Sequence, residues 1–402
     1  MKKKILIVNS YYDPTVIGGA EISTQLLAEG LQNNFEVFVL TSTKNKSNDI
    51  IIEEINGVKI YRMPIKNIYW PPEKEVKSNY TKLLWHLINT FNPVQYNLLL
   101  KTITTIKPDI IHTNNLMCIG TYIWRIGKKL SIPVIHTLRD YALIDPVKNK
   151  TLSNIISKIN IKRAQNIDFV VGISNFIYKE HTNKGFFKNI PVDRIFNVVH
   201  TKKYKKTYLS SNTKGLIIGY YGQLAENKGI QILIDIINNT KENLISKIYI
   251  CGSGSFESKI KELSNFDKRI IFLGKTTKDE VYKLMAQSDL TIVPSIWNEP
   301  FGRVIIESYR QGTPVLGSNV GGIPEILVEK QILLASPTYS DFIKKIIFFS
   351  ELSTQKRKSI ISNCYIESSK YINNIKLYID VYNKFFNKKN EVTIDGNKHG
   401  IS

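Results

Sequence analysis

Two tandem α/β domains, each a doubly wound parallel sheet, are what this sequence predicts, and three observations carry the prediction. Short apolar runs alternate with helical stretches through the first half of the chain. The same alternation restarts near residue 215. A lysine- and serine-rich polar segment separates the two series. Strands buried on both faces read as continuous apolar runs, and β/α alternation places helices over both faces of a parallel sheet. A chain of 402 residues suffices for two or three domains with separate cores.

The elements follow in order. Lys4-Ile5-Leu6-Ile7-Val8 is the first strand, and a loop of turn formers from Asn9 to Gly19 leads into a helix expected over residues 21–32. Further strands are expected at residues 36–40, 108–112, 132–137 and 168–172. Gly215-Leu216-Ile217-Ile218-Gly219-Tyr220 opens the second series, continued at 247–251, 269–273, 290–293 and 313–316. Lys202-Lys203-Tyr204-Lys205-Lys206 and Ser210-Ser211-Asn212-Thr213 read as the linker. The expected domains are therefore 1–205 and 206–365, with a C-terminal helix and polar tail over 366–402, frayed from 387 onward. Ligands of such folds bind beyond the carboxyl ends of the strands, so two Rossmann-like domains are expected to face each other across a ligand-holding cleft.

Composition narrows the function. Charged residues at 22% and aromatics at 10% exclude a disordered or collagen-like chain. No stretch approaches the roughly 20 apolar residues that span a bilayer, and the run after Lys2-Lys3-Lys4 is too short for a signal sequence. A soluble cytoplasmic protein is the expectation. Cys118, Cys251 and Cys364 are far apart, without zinc-ligand spacing, and read as reduced buried thiols. Up to residue 205 there are 29 Lys/Arg against 15 Asp/Glu, a net +14; the remainder carries 26 against 19, a net +7. A basic half suits nucleic acid, an anionic membrane or a phosphorylated substrate. No nucleic-acid recognition module supports the first.

The densest chemistry lies in Pro294-Ser295-Ile296-Trp297-Asn298-Glu299-Pro300-Phe301-Gly302-Arg303-Val304-Ile305-Ile306-Glu307. A strand runs into a turn and then a helix starting near Gly302, where backbone N–H groups suit an anion such as diphosphate. Glu299 and Glu307 are acceptors suited to vicinal hydroxyls of a sugar and a ribose. Gly312-Thr313-Pro314-Val315 and Val320-Gly321-Gly322-Ile323-Pro324-Glu325 follow, and the glycine pair permits close backbone approach. Upstream, Gly222-Gln223-Leu224-Ala225-Glu226-Asn227-Lys228-Gly229 sits between a strand and a helix, with Lys228 a compact point charge for phosphate. The same features also fit capped helices and solvated side chains.

Together these residues resemble glycosyltransferase family 4, the retaining GT-B enzymes. Phe272-Leu273-Gly274, Ser288-Asp289-Leu290, Pro294-Ser295, Glu299-Pro300-Phe301-Gly302, Gly312-Thr313-Pro314-Val315 and Gly321-Gly322-Ile323-Pro324-Glu325 stand in the family's order. The resemblance implies a GT-B fold and transfer of a hexosyl-type sugar from a nucleotide-diphosphate donor to a saccharide or lipid-linked saccharide, as in capsule or lipopolysaccharide assembly. It implies that Glu299 meets the sugar hydroxyls, Glu307 the ribose and Lys228 the diphosphate, with the Phe301 and Gly302 amides completing the phosphate site. Gly18-Gly19 resembles the family's glycine loop over the donor phosphate, and Ile195-Phe196-Asn197 a family turn whose usual Gly and Asp are here Val198 and His200.

Two departures stand out. The family's arginine before the diphosphate lysine is Gln223 here, so one cationic phosphate contact is either missing or supplied elsewhere, with Arg303 a candidate. In Pro133-Val134-Ile135-His136-Thr137-Leu138-Arg139-Asp140-Tyr141, Arg139 holds the place of a family histidine near the reacting sugar. Arginine cannot act as a general base but can hold an anion. His112, His136 and Asp140 are the candidate acceptor or sugar contacts, although the two histidines read more readily as satisfied core residues. No Asp-x-Asp occurs, which favours a metal-independent site with no cofactor beyond the nucleotide sugar. Leu152, Ile155, Ile156 and Ile159 share a helical face among Lys148, Lys150, Lys158, Lys162 and Arg163, a pattern compatible with peripheral contact on anionic membrane or with packing on the sheet. The alternatives are a non-catalytic sugar-nucleotide-binding scaffold and a sugar-nucleotide 2-epimerase of the same fold.

Overall fold

A computed structural model describes residues 2–44, 49–73, 77–199, 202–206, 215–372 and 374–396, with side chains as far as residue 387. His200, linker residues 210–213 and the tail beyond 396 lie outside the described residues. By its contacts the chain forms two compact units, Met1–Val198 with Asn373–Ser402, and Val199–Ile372. The division falls at Val198 rather than at residue 205, and the last helix returns to the first unit instead of standing apart.

The first unit carries β1 (Lys4–Val8), β2 (Glu36–Thr43), β3 (Ile51–Ile55), β4 (Val58–Pro64), β5 (Ile110–Thr113), β6 (Val134–Leu138), β7 (Phe169–Gly172) and β8 (Val192–Arg194). They form one sheet in the order β3-β4-β2-β1-β5-β6-β7-β8, parallel except for the antiparallel β3–β4 pair. That hairpin, absent from the expected strands, turns on Asn56-Gly57, both at positive φ; Asn-Gly between apolar alternations is the sequence signal that marks it. The helices are α1 (Gly19–Leu31), α2 (Asn79–Thr90), α3 (Pro93–Ile106), α4 (Ile123–Lys129), α5 (Lys150–Ala164) and α6 (Asn175–Asn183). Ser78, Asn92 and Asn149 cap α2, α3 and α5 by accepting from backbone amides three residues on. The C-terminal helix Asn374–Gly396 buries Tyr378, Val381 and Tyr382 against Ile5, Ile7 and Leu27. Gly30 of α1 admits it: a Cβ there would fall 2.0 Å from Ile375 Cδ1.

The second unit carries β9 (Leu216–Tyr221), β10 (Ile245–Cys251), β11 (Ile270–Gly274), β12 (Leu290–Val293), β13 (Val315–Ser318) and β14 (Leu334–Ala335). All pairs are parallel, in the order β11-β10-β9-β12-β13-β14. The strand order therefore reverses between β9 and β12 here, and between β1 and β5 in the first unit. Crevices at such switch points are where doubly wound sheets bind ligands. Part of the expected linker is stitched into this unit. Lys206 is buried and donates to Ser288 O and Thr313 Oγ1, and the Tyr204 amide donates to Gln311 Oε1. All three cysteines are free and buried. Among the described residues no helix is long and apolar enough to cross a membrane.

Candidate functional site

In the second unit the chemistry collects where β9 and β12 end. Lys228 closes the short 3-10 turn Glu226–Lys228 after β9, and Glu299 lies on the loop after β12. Lys228 Nζ donates to Glu299 Oε1 at 2.5 Å, with the two side chains 26% and 15% exposed. Ser295 Oγ lies 3.1 Å from the same carboxylate oxygen, and Lys228 Nζ sits 5.1 Å from the Trp297 ring centroid. Local geometry clips the loops together. The Ile296 and Trp297 amides both donate to Asn227 O at 3.2 Å. Gly229 has φ +68°, and a Cβ there would fall 1.8 Å from Pro294 O. On the other side Gly322 N donates to Glu299 O at 2.7 Å, while a Cβ on Gly321 would meet that carbonyl at 2.4 Å. Both glycines are there because backbone passes against backbone.

Arg303 and Glu307 form a second pair one helical turn apart, Nε to Oε1 at 2.7 Å, mostly buried. The cation offered as a substitute for Gln223 is thus already matched to the carboxylate assigned to the ribose. Gly302, at φ +100°, starts the helix Arg303–Arg310, and Phe301 is buried against Tyr371 with ring centroids 6.1 Å apart. Phe301 therefore anchors the turn with its side chain. Gln223 is exposed, and its carbonyl accepts from Tyr220 Oη at 2.7 Å. The fold also brings in a loop that the motif reading passed over. Gly252 and Gly254 pack directly on the carbonyls of Gly222 and Leu224, and Leu224 N donates to Ser253 O. Cys251-Gly252-Ser253-Gly254 after β10 is its signal in the sequence.

In the first unit Gly18 is exposed and its amide donates to Glu21 Oε2 at 2.8 Å, while the exposed Gly19 begins α1. Burial raises the pKa of Glu21, with Asp140 adding to it and Arg139 opposing. Arg139 is turned inward from the end of β6. Its Nε donates to Asn114 Oδ1 at 2.8 Å and its Nη1 to Asn197 Oδ1. These contacts tie β6 to the loops after β5 and β8, and Arg139 also lines a recess with His136 and Asp140. His112 is fully buried with Nδ1 against Tyr382 Oη at 2.6 Å and Nε2 against Thr137 Oγ1 at 2.7 Å. Both nitrogens are engaged inside the core, so the ring does not reach a ligand. Burial also pushes its pKa well below the usual range.

His136 and Asp140 line a recess of about 80 Å³ with Asn114, Asn160 and Arg163. His136 Nδ1 lies 2.9 Å from Thr113 Oγ1, and burial drives its pKa down to about 3, so the ring is neutral and a poor base. Asp140 accepts from Asn115 Nδ2 at 2.6 Å and from the Ala142 amide at 2.8 Å, and burial raises its pKa. The lining is mixed, with Leu116, Met117, Leu143 and Ile156 beside these polar groups. Among the described residues no three His, Cys, Asp or Glu side chains gather as a metal site.

Two family models match successive parts of the chain: Glycosyltransferase Family 4 over residues 17–203 and Glycosyl transferases group 1 over residues 202–366. The chain is 34% identical over 337 residues to an uncharacterised 42.6 kDa protein in the cps region of Klebsiella pneumoniae, spanning 80% of this chain and 87% of that one. Among solved structures, sucrose-phosphate synthase from Thermosynechococcus elongatus superposes with a TM-score of 0.73 at 17% identity, covering 96% of this chain and all of that one. The Anabaena protein HepE, solved in complex with UDP, superposes with a TM-score of 0.70 at 18% identity over the same shares.

Proposed function

Because the chain belongs to the glycosyltransferase family 4, with the GT-B fold, we propose that it is a retaining transferase that moves a hexosyl-type sugar from a nucleotide-diphosphate donor to a saccharide or lipid-linked saccharide of a surface polysaccharide. The observation that carries the reading is the Lys228–Glu299 pair, held by Ser295 and wrapped by the Gly321-Gly322 backbone. The cps-region relative supports polysaccharide assembly, and the UDP complex of HepE supports a nucleotide ligand.

The pair is matched in charge before any donor arrives. A diphosphate takes Lys228 as counter-charge and frees Glu299 to accept from sugar hydroxyls, so both groups exchange partners on binding. In the transfer step an acceptor hydroxyl oxygen bonds to the anomeric carbon as the bond from that carbon to the diphosphate oxygen breaks. The acceptor's proton passes to the departing diphosphate on the same face, preserving the anomeric configuration. Negative charge grows on the leaving group, and Lys228 with the amides at the start of the helix Arg303–Arg310 stabilises it most in the transition state. Glu307, paired with Arg303, is the ribose acceptor. The absence of Asp-x-Asp favours fixed cations and backbone groups over a metal ion.

Thermal stability measured with UDP-, GDP- and ADP-sugars in the presence of EDTA tests the reading on wild type and Glu307→Ala. Ligand at about 100 times its dissociation constant adds about 2.7 kcal/mol. A melting shift for one nucleotide class, lost in the variant, is the expected result. No shift with any donor would overturn it.

A further inference from the structure

Arg163, near the end of α5, is a half-buried cation whose hydrogen bonds go to neutral oxygens. Its Nη1 donates to Thr121 Oγ1 at 3.0 Å and its Nη2 to Thr90 O at 2.8 Å. The guanidinium lies 5.9 Å from the Phe91 ring centroid and 5.6 Å from that of Tyr122. Among the described residues no carboxylate pairs with it. Burial lowers its pKa; Tyr122 opposes that, and the like charge of Arg125 adds to it. Arg139 stands differently, since both Asp140 and Glu21 interact with its charge. A cation drawn out of water needs its lost hydration replaced, and two neutral acceptors leave the charge of Arg163 unmatched.

That charge faces the recess of the first unit. The lining holds two guanidinium groups, Arg139 and Arg163, against one carboxylate, Asp140, a net +1. Burial holds His136 at about 3 and His86 at about 4, so neither ring adds charge at neutral pH. Tyr122 Oη is buried without a hydrogen-bond partner and packs on Gly120 of the lining, where a Cβ would fall 2.8 Å from it. The apolar side chains of the lining suit the C–H face of a sugar ring, and they strengthen any ion pair formed beside them. A carboxylate is planar, carries one charge and matches the guanidinium fork. A neutral sugar would leave Arg163 unmatched, and a doubly charged phosphate monoester would bring one charge too many beside Asp140.

We propose that this recess receives the carboxylate of an acidic sugar, with Arg163 as its counter-charge. The inference rests on the transferase reading and narrows the acceptor to a saccharide bearing a uronate. The test is calorimetric titration of the full chain, without donor, with methyl glucuronide, methyl glucoside and glucose 6-phosphate at one ionic strength. The glucuronide should bind at least about tenfold tighter than the glucoside. Arg163→Gln should erase that preference, whereas Asp140→Asn, which removes the opposing charge, should raise glucuronide affinity about fivefold. A purely structural role would weaken binding in both variants. Should Arg163→Gln fail to fold, the wild-type comparison and Asp140→Asn decide. Equal binding of glucuronide and glucoside, tighter binding of the phosphate, or a preference that survives Arg163→Gln would each overturn the proposal. Donor thermal shifts on the same protein separate the two readings: a donor shift without glucuronide binding sinks the recess alone, and glucuronide binding without a donor shift sinks transfer alone.

Discussion

Lys228→Ala separates what the Lys228–Glu299 pair does for the fold from what it does for the reaction. At 26% and 15% exposure the pair is only partly shielded from water, so its contribution to stability is about 1 kcal/mol. In a unit spanning Val199–Ile372 that is a melting change of about 2–4 °C. A fixed cation facing a leaving group that gains charge is worth more: losing one such group costs about 2.7–4 kcal/mol of barrier, or 10²- to 10³-fold in rate. Initial rates of nucleotide-diphosphate release, measured with the donor class found by thermal shift, should therefore fall at least about 100-fold while the protein melts nearly as before. Glu299→Gln provides the converse. It frees Lys228, so the nucleotide diphosphate alone should bind up to about fivefold tighter while transfer falls with the lost sugar contact. Lys228→Ala turnover within about threefold of wild type would refute the assignment, because no cation worth less than 1 kcal/mol can be the main stabiliser of the leaving group.

Gly229→Ala should destabilise the second unit by about 1–3 kcal/mol and abolish activity, because its Cβ would overlap Pro294 O at positive φ; Gly222→Ala, with nothing within 4 Å, is the neutral control in the same melting assay. The first unit should lose stability in acid. Burial holds His112 well below the usual range, His136 at about 3 and His181 at about 4. The unfolded chain then takes up protons that the folded one refuses, so stability is full above about pH 6.5 and falls below it by about 1.4 kcal/mol per pH unit for each ring. The raised pKa values of Glu21 and Asp140 act in the opposite sense, from the ordinary carboxylate range upward. Urea midpoints equal at pH 7.5 and 5 would sink this account. Tyr382→Phe leaves His112 Nδ1 without its 2.6 Å partner in the core and should cost about 1–3 kcal/mol by urea denaturation, with donor binding unchanged.

The sequence by itself determined the architecture and marked residues that the fold gathers where β9 and β12 end. Apolar runs such as residues 4–8 and 290–293 mark buried parallel strands wherever they occur, because burial on both faces leaves no polar alternation. Glu299, Gly302 and Gly321-Gly322 are legible for a related reason: a ligand or a backbone crossing at a strand end restricts residue type locally. Only the tertiary structure decided what long-range partners do to a side chain. Lys206, in a segment that reads as solvated linker, is buried because Ser288 O and Thr313 Oγ1 receive its ammonium. His112 and Arg139 turn inward because Tyr382, Thr137, Asn114 and Asn197 converge on them, and Tyr382 is separated from His112 by 270 residues. On α5, Ile156 is buried and Leu152 and Ile159 are half-buried while Ile155 stays exposed, a split that cannot be read from a periodicity that is the same for either face. Local pattern specifies which elements form, whereas the charge state, burial and pairing of a residue belong to neighbours that only the folded chain supplies.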